Sequence, residues 1–137
     1  MITIKREGII LEATHLDFEN EGVINPAVIV AGGEIHMFYR AVQVGNISSI
    51  GYCRLDNPLK VVYRQKKPIL YPEFDYESHG MEDPRIVKIE DTYYMTYTAY
   101  DGDNAVGALA ISKDLRQFTR IGRIPNCLSS IYRMVEE

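Results

Sequence analysis

The 137-residue chain has no tryptophan, only two cysteines and three histidines, and no excess of basic residues. Each shortage removes a class of protein. Cys53 and Cys127 form neither a CxxC pair nor a disulfide framework, so a reducing cytoplasm is the default compartment. Cys53 lies in an alternating run and reads as a small buried hydrophobe. His36 and His79 have no second His, Cys or acid at ligand spacing, so no metal site is expected. The net charge of −4 comes from acids and bases mixed along the chain, which argues against a nucleic-acid partner. The one basic cluster, YRQKKP, is short and reads as a solvated turn or edge strand. The opening MITIKREGIILEA has no long apolar run behind its basic residues, so it is neither a signal peptide nor a membrane span. Helical periodicity is missing throughout, and there is no GxSxG, no Cys/His pair and no dinucleotide fingerprint. The stretch DGDN, Asp101 to Asn104, lacks the later Gly and Glu of a calcium loop and reads as a turn.

What remains is β-strand signal. Ten tyrosines are spread mainly through alternating or β-branched runs. Ala27 to Val42 reads as strand, Gly-Gly tip, strand, and Arg85 to Tyr100 as strand, Glu-Asp tip, strand. SSIGYCRL and GALAISKDL follow as shorter strands. One hairpin also slides onto the other without a gap. Asn25 falls on Asp83, Pro26 on Pro84, Met37 on Met95, Tyr39 on Tyr97 and Ala41 on Ala99. Further along, Asn46 falls on Asn104 and Asp56 on Asp114. Register kept through the turn and two strands indicates an internal repeat.

The fold class expected is therefore all-β: about two blades of a β-propeller, with repeats near 25–56 and 83–114 inside a unit spanning 1–137. Five blades of this length need about 290 residues, within the usual range of ring sizes. A chain holding a little over two is either a fragment or a part that completes itself with other chains, and its exposed blade edges make a homo-oligomer the expectation. An ordinary β-sandwich is the alternative.

The stretch HGMEDPRIV, His79 to Val87, concentrates the candidate chemistry. Asn25-Pro26 and Asp83-Pro84 stand at the same place in their repeats, just before a strand. Proline biases the preceding residue towards an extended backbone, which would present the Asn25 and Asp83 side chains to a shared funnel. Strand alternation would put Asp83 and Arg85 on one face, where a guanidinium could hold the carboxylate ionised or bind a hydroxyl or anion. Glu82 adds a second carboxylate. Arg40 ends the run MFYR where the other repeat has Thr98. The plainer readings are that Asx-Pro starts a turn and that Arg40 is a surface cation.

EGVINPAVI, MFYRA, SSIGY, HGMEDPRIV and YYMTYTAYDG, in this order, resemble glycoside hydrolase family 130 across residues 17–122. The resemblance implies a five-bladed propeller and an inverting reaction on β-mannosides, with inorganic phosphate as nucleophile and co-substrate. The products would be mannose 1-phosphate and a shortened sugar. It implies that Asp83 is the general acid, with the proton travelling through a sugar hydroxyl, a variant of the two-carboxylate scheme. By motif position Asn25 and Arg40 would contact the sugar, and Ser49, Glu82, Arg85, Tyr97 and Asp101 are further substrate-binding candidates. No metal or organic cofactor is implied. The run IPNCLSSIYRMVEE does not resemble the family's continuation, where phosphate-gripping residues are expected. A β-mannoside hydrolase, and a non-catalytic truncated propeller that oligomerises or binds sugar, are the alternatives; arabinanase-like enzymes fit these motifs less well.

Overall fold

A computed structural model describes residues 1–125. Cys127 and the run from Ile131 to Glu137 therefore lie outside the described residues. The chain enters through a 3-10 turn, Asp17–Glu19, and then forms four strands: β1 (Gly22–Ala31), β2 (Glu34–Gln43), β3 (Ile47–Asn57) and β4 (Lys60–Arg64). A second 3-10 turn, Asp75–Glu77, precedes β5 (Gly80–Ile89), β6 (Thr92–Tyr100), β7 (Ala105–Ser112) and β8 (Thr119–Arg123). Each set of four is an antiparallel meander. The repeat seen in the sequence is thus structural, and each unit begins earlier than the matched stretches, at its 3-10 turn.

The two meanders are joined by one parallel bridge, Ser48 to Gly80. A larger side chain at Gly80 would crowd the Ser48 backbone, 3.3 Å from a Cβ placed there. Their first strands, β1 and β5, lie against each other. Between the meanders is the main core. Phe38, Ile50 and Tyr52 come from the first; Met81, Tyr93, Met95, Tyr97, Ala99, Ala108 and Ala110 come from the second. Burying each of the larger side chains contributes about 1.5–3 kcal/mol.

Period-two alternation decides which residues reach this core. On β2, Phe38 faces the second meander, whereas Met37, Tyr39 and Ala41 turn to the other side and pack with Phe18, Cys53 and Leu55. Their repeat partners Met95, Tyr97 and Ala99 face the first meander. Unlike faces therefore meet, head to tail. That relation propagates by rotation, as propeller blades do, whereas a sandwich pairing like faces would close at two. The expected blades are present, and the sandwich alternative is excluded. Cys53 is fully buried, as expected, and burial pushes its thiol up to about 11.

Blade packing leaves no room at Gly51, where an added methyl would overlap the ring of Tyr39. Tyr39 is only 1% exposed and cannot easily yield. Gly51→Ala is expected to lower unfolding free energy by about 1–3 kcal/mol. An unchanged urea midpoint would show that the ring can move aside.

Candidate active site

Asn25-Pro26 and Asp83-Pro84 do not start regular strands; each forms a bulge inside one. In β5, Glu82 pairs with Thr98 and Arg85 with Thr96, so Asp83 and Pro84 together oppose Tyr97. In β1, Ile24 pairs with Arg40 and Ala27 with Phe38, so Asn25 and Pro26 oppose Tyr39. Both Asx residues take φ of 49°. The extended backbone expected before proline is thus overturned. Proline has no N–H for the ladder, which favours a bulge there, and Asn and Asp are the non-glycine residues that best tolerate the left-handed region.

Two bulges on neighbouring innermost strands bring their Asx side chains together. Asn25 Nδ2 donates to Asp83 Oδ1 at 2.7 Å. Arg40, projecting from β2 of the first blade, reaches across the blade boundary. Its Nη2 donates to Glu82 Oε1 at 2.7 Å, its Nη1 lies 3.8 Å from Asp83 Oδ1, and its Nε donates to Ser48 Oγ at 2.8 Å. Arg40 and Glu82 are largely shielded, with side chains 16% and 19% exposed, whereas Asp83 is 40% exposed. Among the described residues Asp83 Oδ2 makes no hydrogen bond, so one oxygen is held by Asn25 and the other is left without a partner on a partly exposed side chain. This arrangement suits a positioned, partly exposed carboxyl group able to exchange a proton with a bound hydroxyl. Of the candidates named from the sequence, Asn25, Arg40, Glu82 and Asp83 form one cluster.

The other four fall elsewhere. The bulge breaks the alternation that would have put Arg85 beside Asp83, and Arg85 Nη1 instead donates to its neighbour's carbonyl, Pro84 O, at 2.7 Å. Ser49 is buried on the face of β3 opposite Ser48, and its hydroxyl has no hydrogen-bond partner among the described residues. Arg40 pairs with Ile50 across the ladder, so Ser48, two residues from Ile50, shares its face. Sequence reasoning missed Ser48 because this register is set by the hairpin as a whole. Tyr97 is 3% exposed in the inter-blade core, where burial pushes its phenol above the usual tyrosine range. Its hydroxyl donates to Glu77 Oε1 at 3.5 Å.

Asp101 caps its own turn, as the turn reading of DGDN expected. Its Oδ1 accepts from the backbone N–H groups of Asn104 at 2.6 Å and Asp103 at 2.9 Å. Those donors, Asn104 first, hold the carboxyl below its ordinary value of 3.8. A depressed carboxylate stabilises the fold above its unfolded pKa, and that contribution disappears as pH falls through the depressed value. The unfolding curves of the wild type and Asp101→Ala should therefore differ at neutral pH and converge in acid. A gap persisting at the lowest pH would exclude the carboxylate as its cause.

A family model described as β-1,4-mannooligosaccharide phosphorylase matches residues 6–136. The 1,2-β-oligomannan phosphorylase of Thermoanaerobacter sp. (strain X514) is 33% identical over 148 residues, covering 96% of this chain and 50% of that protein. The β-1,2-mannobiose phosphorylase of the same organism is 40% identical over 99 residues, covering 63% of this chain and 32% of the relative. The chain thus spans half the length of the first relative and a third of the second. Among solved structures, one is described by the finding that the GH130 family of mannoside phosphorylases contains glycoside hydrolases targeting β-1,2 mannosidic linkages in Candida mannan. It superposes with a TM-score of 0.77 at 26% identity, covering 87% of this chain and 40% of that one.

Proposed function

The chain belongs to family 130 of the glycoside hydrolases, whose fold is a five-bladed propeller, and from that premise we propose that the protein phosphorolyses β-mannosides. The observation that carries the reading is the presentation of Asp83. One of its oxygens is fixed by Asn25 and flanked by Arg40, both from the neighbouring blade, and the other is left open. In the proposed reaction inorganic phosphate attacks the anomeric carbon while the bond to the leaving sugar breaks. Asp83 supplies the proton that the leaving oxygen needs, relayed through a sugar hydroxyl. Phosphate is already anionic and needs no general base, which distinguishes the scheme from inverting hydrolysis with its second carboxylate. Arg40, locked between Glu82, Asp83 and Ser48, orders the wall on which the sugar rests.

The two curated relatives are named for β-1,2 linkages, so β-1,2-mannobiose is the first substrate to test and β-1,4-mannobiose the second. Release of mannose 1-phosphate that depends on added phosphate is the expected result. Free mannose released equally without phosphate would replace phosphorolysis by hydrolysis, the second reading, which the description of the structural neighbour favours. Mannoside binding without either reaction would support a sugar-binding role. We also propose a cytoplasmic location, which suits Cys53, a buried unpaired thiol; no helix among the described residues is long and apolar enough to cross a membrane. Self-association through exposed blade edges is tested by light scattering, where a clean 15.7 kDa monomer would exclude it.

A further inference from the structure

Each blade carries a buried carboxylate that the proposed chemistry does not use. Glu19 and Glu77 are repeat partners, both fully buried in the 3-10 turns that lead into the innermost strands. Glu19 Oε2 accepts from the Tyr39 hydroxyl at 2.9 Å and from Arg64 Nη2 at 2.9 Å. Glu77 Oε1 accepts from the Tyr97 hydroxyl at 3.5 Å and from Arg120 Nε at 3.1 Å. In both blades the tyrosine stands on the second strand, opposite the Asx-Pro bulge, and the arginine comes from the outermost strand. In both, the glutamate precedes the Asx residue of the site by the same six positions.

Arg120 does more than pair with Glu77. Its Nη1 donates to Glu73 Oε2 at 2.8 Å, its Nη2 donates to the Tyr71 carbonyl, and the same Nη2 lies 3.6 Å from Met81 Sδ. The guanidinium also sits 5.6 Å from the centroid of the Phe74 ring, which stacks on Tyr76. Its side chain is 11% exposed. One residue of β8 thus grips the connector at Tyr71, Glu73, Phe74 and Glu77, and touches β5 at Met81, next to Glu82 and two residues before Asp83.

We propose that Arg120 is a positioning residue: through Glu77 and Met81 it fixes where β5 enters the sheet, and so holds Asp83 against Asn25. In the first blade Arg64 makes the corresponding pair with Glu19 and also reaches the Glu12 carbonyl. The physical reason is span. The Asn25–Asp83 bond joins two blades, and a displacement of either bulge by about 1 Å breaks a hydrogen bond of that length and can cost about 10²-fold in rate. Asn25 and Pro26 are exposed and Asp83 is half-buried, with only Pro84 of the bulge residues packed inside, so the rigidity comes largely from the buried network behind them.

This inference gives a role to a neighbour of the carboxylate assigned under the proposed function, so its test includes a readout independent of turnover. In the full chain, the side-chain amide resonances of Asn25 report its bond to Asp83, and Asp83→Ala supplies the unbonded reference. Arg120→Met combined with Glu77→Gln removes both buried charges together, which spares the fold the cost of an orphaned ion. We expect this double variant to stay folded, its Asn25 resonances to move to the reference position, and turnover to fall by about tenfold or more with KM little changed. Arg120→Lys keeps the charge opposite Glu77 but not the reach to Tyr71 and Met81, and should move the Asn25 resonances part of the way. It decides the matter if the double variant does not fold. Unmoved Asn25 resonances in a folded variant would overturn the inference. An inactive wild type, or an active Asp83→Asn, would instead overturn the functional reading, with the resonances still reporting on Arg120.

Discussion

Asp83→Asn is expected to lower phosphorolysis by about 10²–10⁴-fold, the usual worth of a positioned general acid. Asparagine preserves the shape of the site. Its amide oxygen can still accept from Asn25 Nδ2, now 2.7 Å from Asp83 Oδ1, and the left-handed backbone of φ 49° suits asparagine as well as aspartate. What it loses is the exchangeable proton. The loss should therefore appear in kcat with KM little changed, because contacts made equally in ground and transition states remain. Asp83→Ala goes further, since it also strips Asn25 of its acceptor and Arg40 of a neighbouring opposite charge, and a change in KM is expected there. The experiment is a steady-state comparison of the wild type with both variants on β-1,2-mannobiose and phosphate. Turnover in Asp83→Asn above about a tenth of wild type would remove Asp83 from the chemical step.

Arg64→Ala should be the most destabilising of the substitutions considered, at about 3 kcal/mol. Glu19 is fully buried, and Arg64 Nη2, at 2.9 Å, is the only cation paired with it among the described residues. Removing that cation leaves a buried carboxylate without a counter-charge, for which about 3–5 kcal/mol is typical. The lower end applies because Thr14 Oγ1 and the Tyr39 hydroxyl still donate to Glu19, at 2.8 and 2.9 Å. Against a total stability of about 5–15 kcal/mol for an ordinary domain, this is a large fraction. Denaturant unfolding measures it directly, and Arg64→Met with Glu19→Gln provides the contrast. Replacing both charges should recover most of the loss. A double variant as unstable as Arg64→Ala would show that Arg64 acts by packing its stem rather than by charge.

Strand content, hairpin tips and the blade repeat were legible because each is written locally, in period-two alternation and in identities at a constant spacing. The cluster of Asn25, Arg40, Glu82 and Asp83 was anticipated, from the Asx-Pro pair and from family motifs. The geometry joining them was not. Arg85 leaves the face of Asp83 because a single bulge reverses the parity of the strand beyond it, and Ser49, named by motif position, lies in the regular part of β3 opposite Ala41, on the other face from Arg40. Tyr97 fits a family motif, yet its hydroxyl serves a carboxylate in the core. Glu19 and Glu77 share the spacing of the repeat but stand in the 3-10 turns ahead of the strands, where period-two alternation carries no signal.

The chain's own residues determined that it forms β-meanders, that the meanders repeat, and which amino acids stand at the entrance of each. Alternation and turn chemistry act over a few neighbours, so they can be read without a fold. Only the packed blades decided that Asn25 bonds to Asp83, that Arg40 spans two blades, and that Ser48 rather than Ser49 meets it. Those contacts join residues far apart in the chain, and they exist only when bulge, ladder register and inter-blade core are settled together.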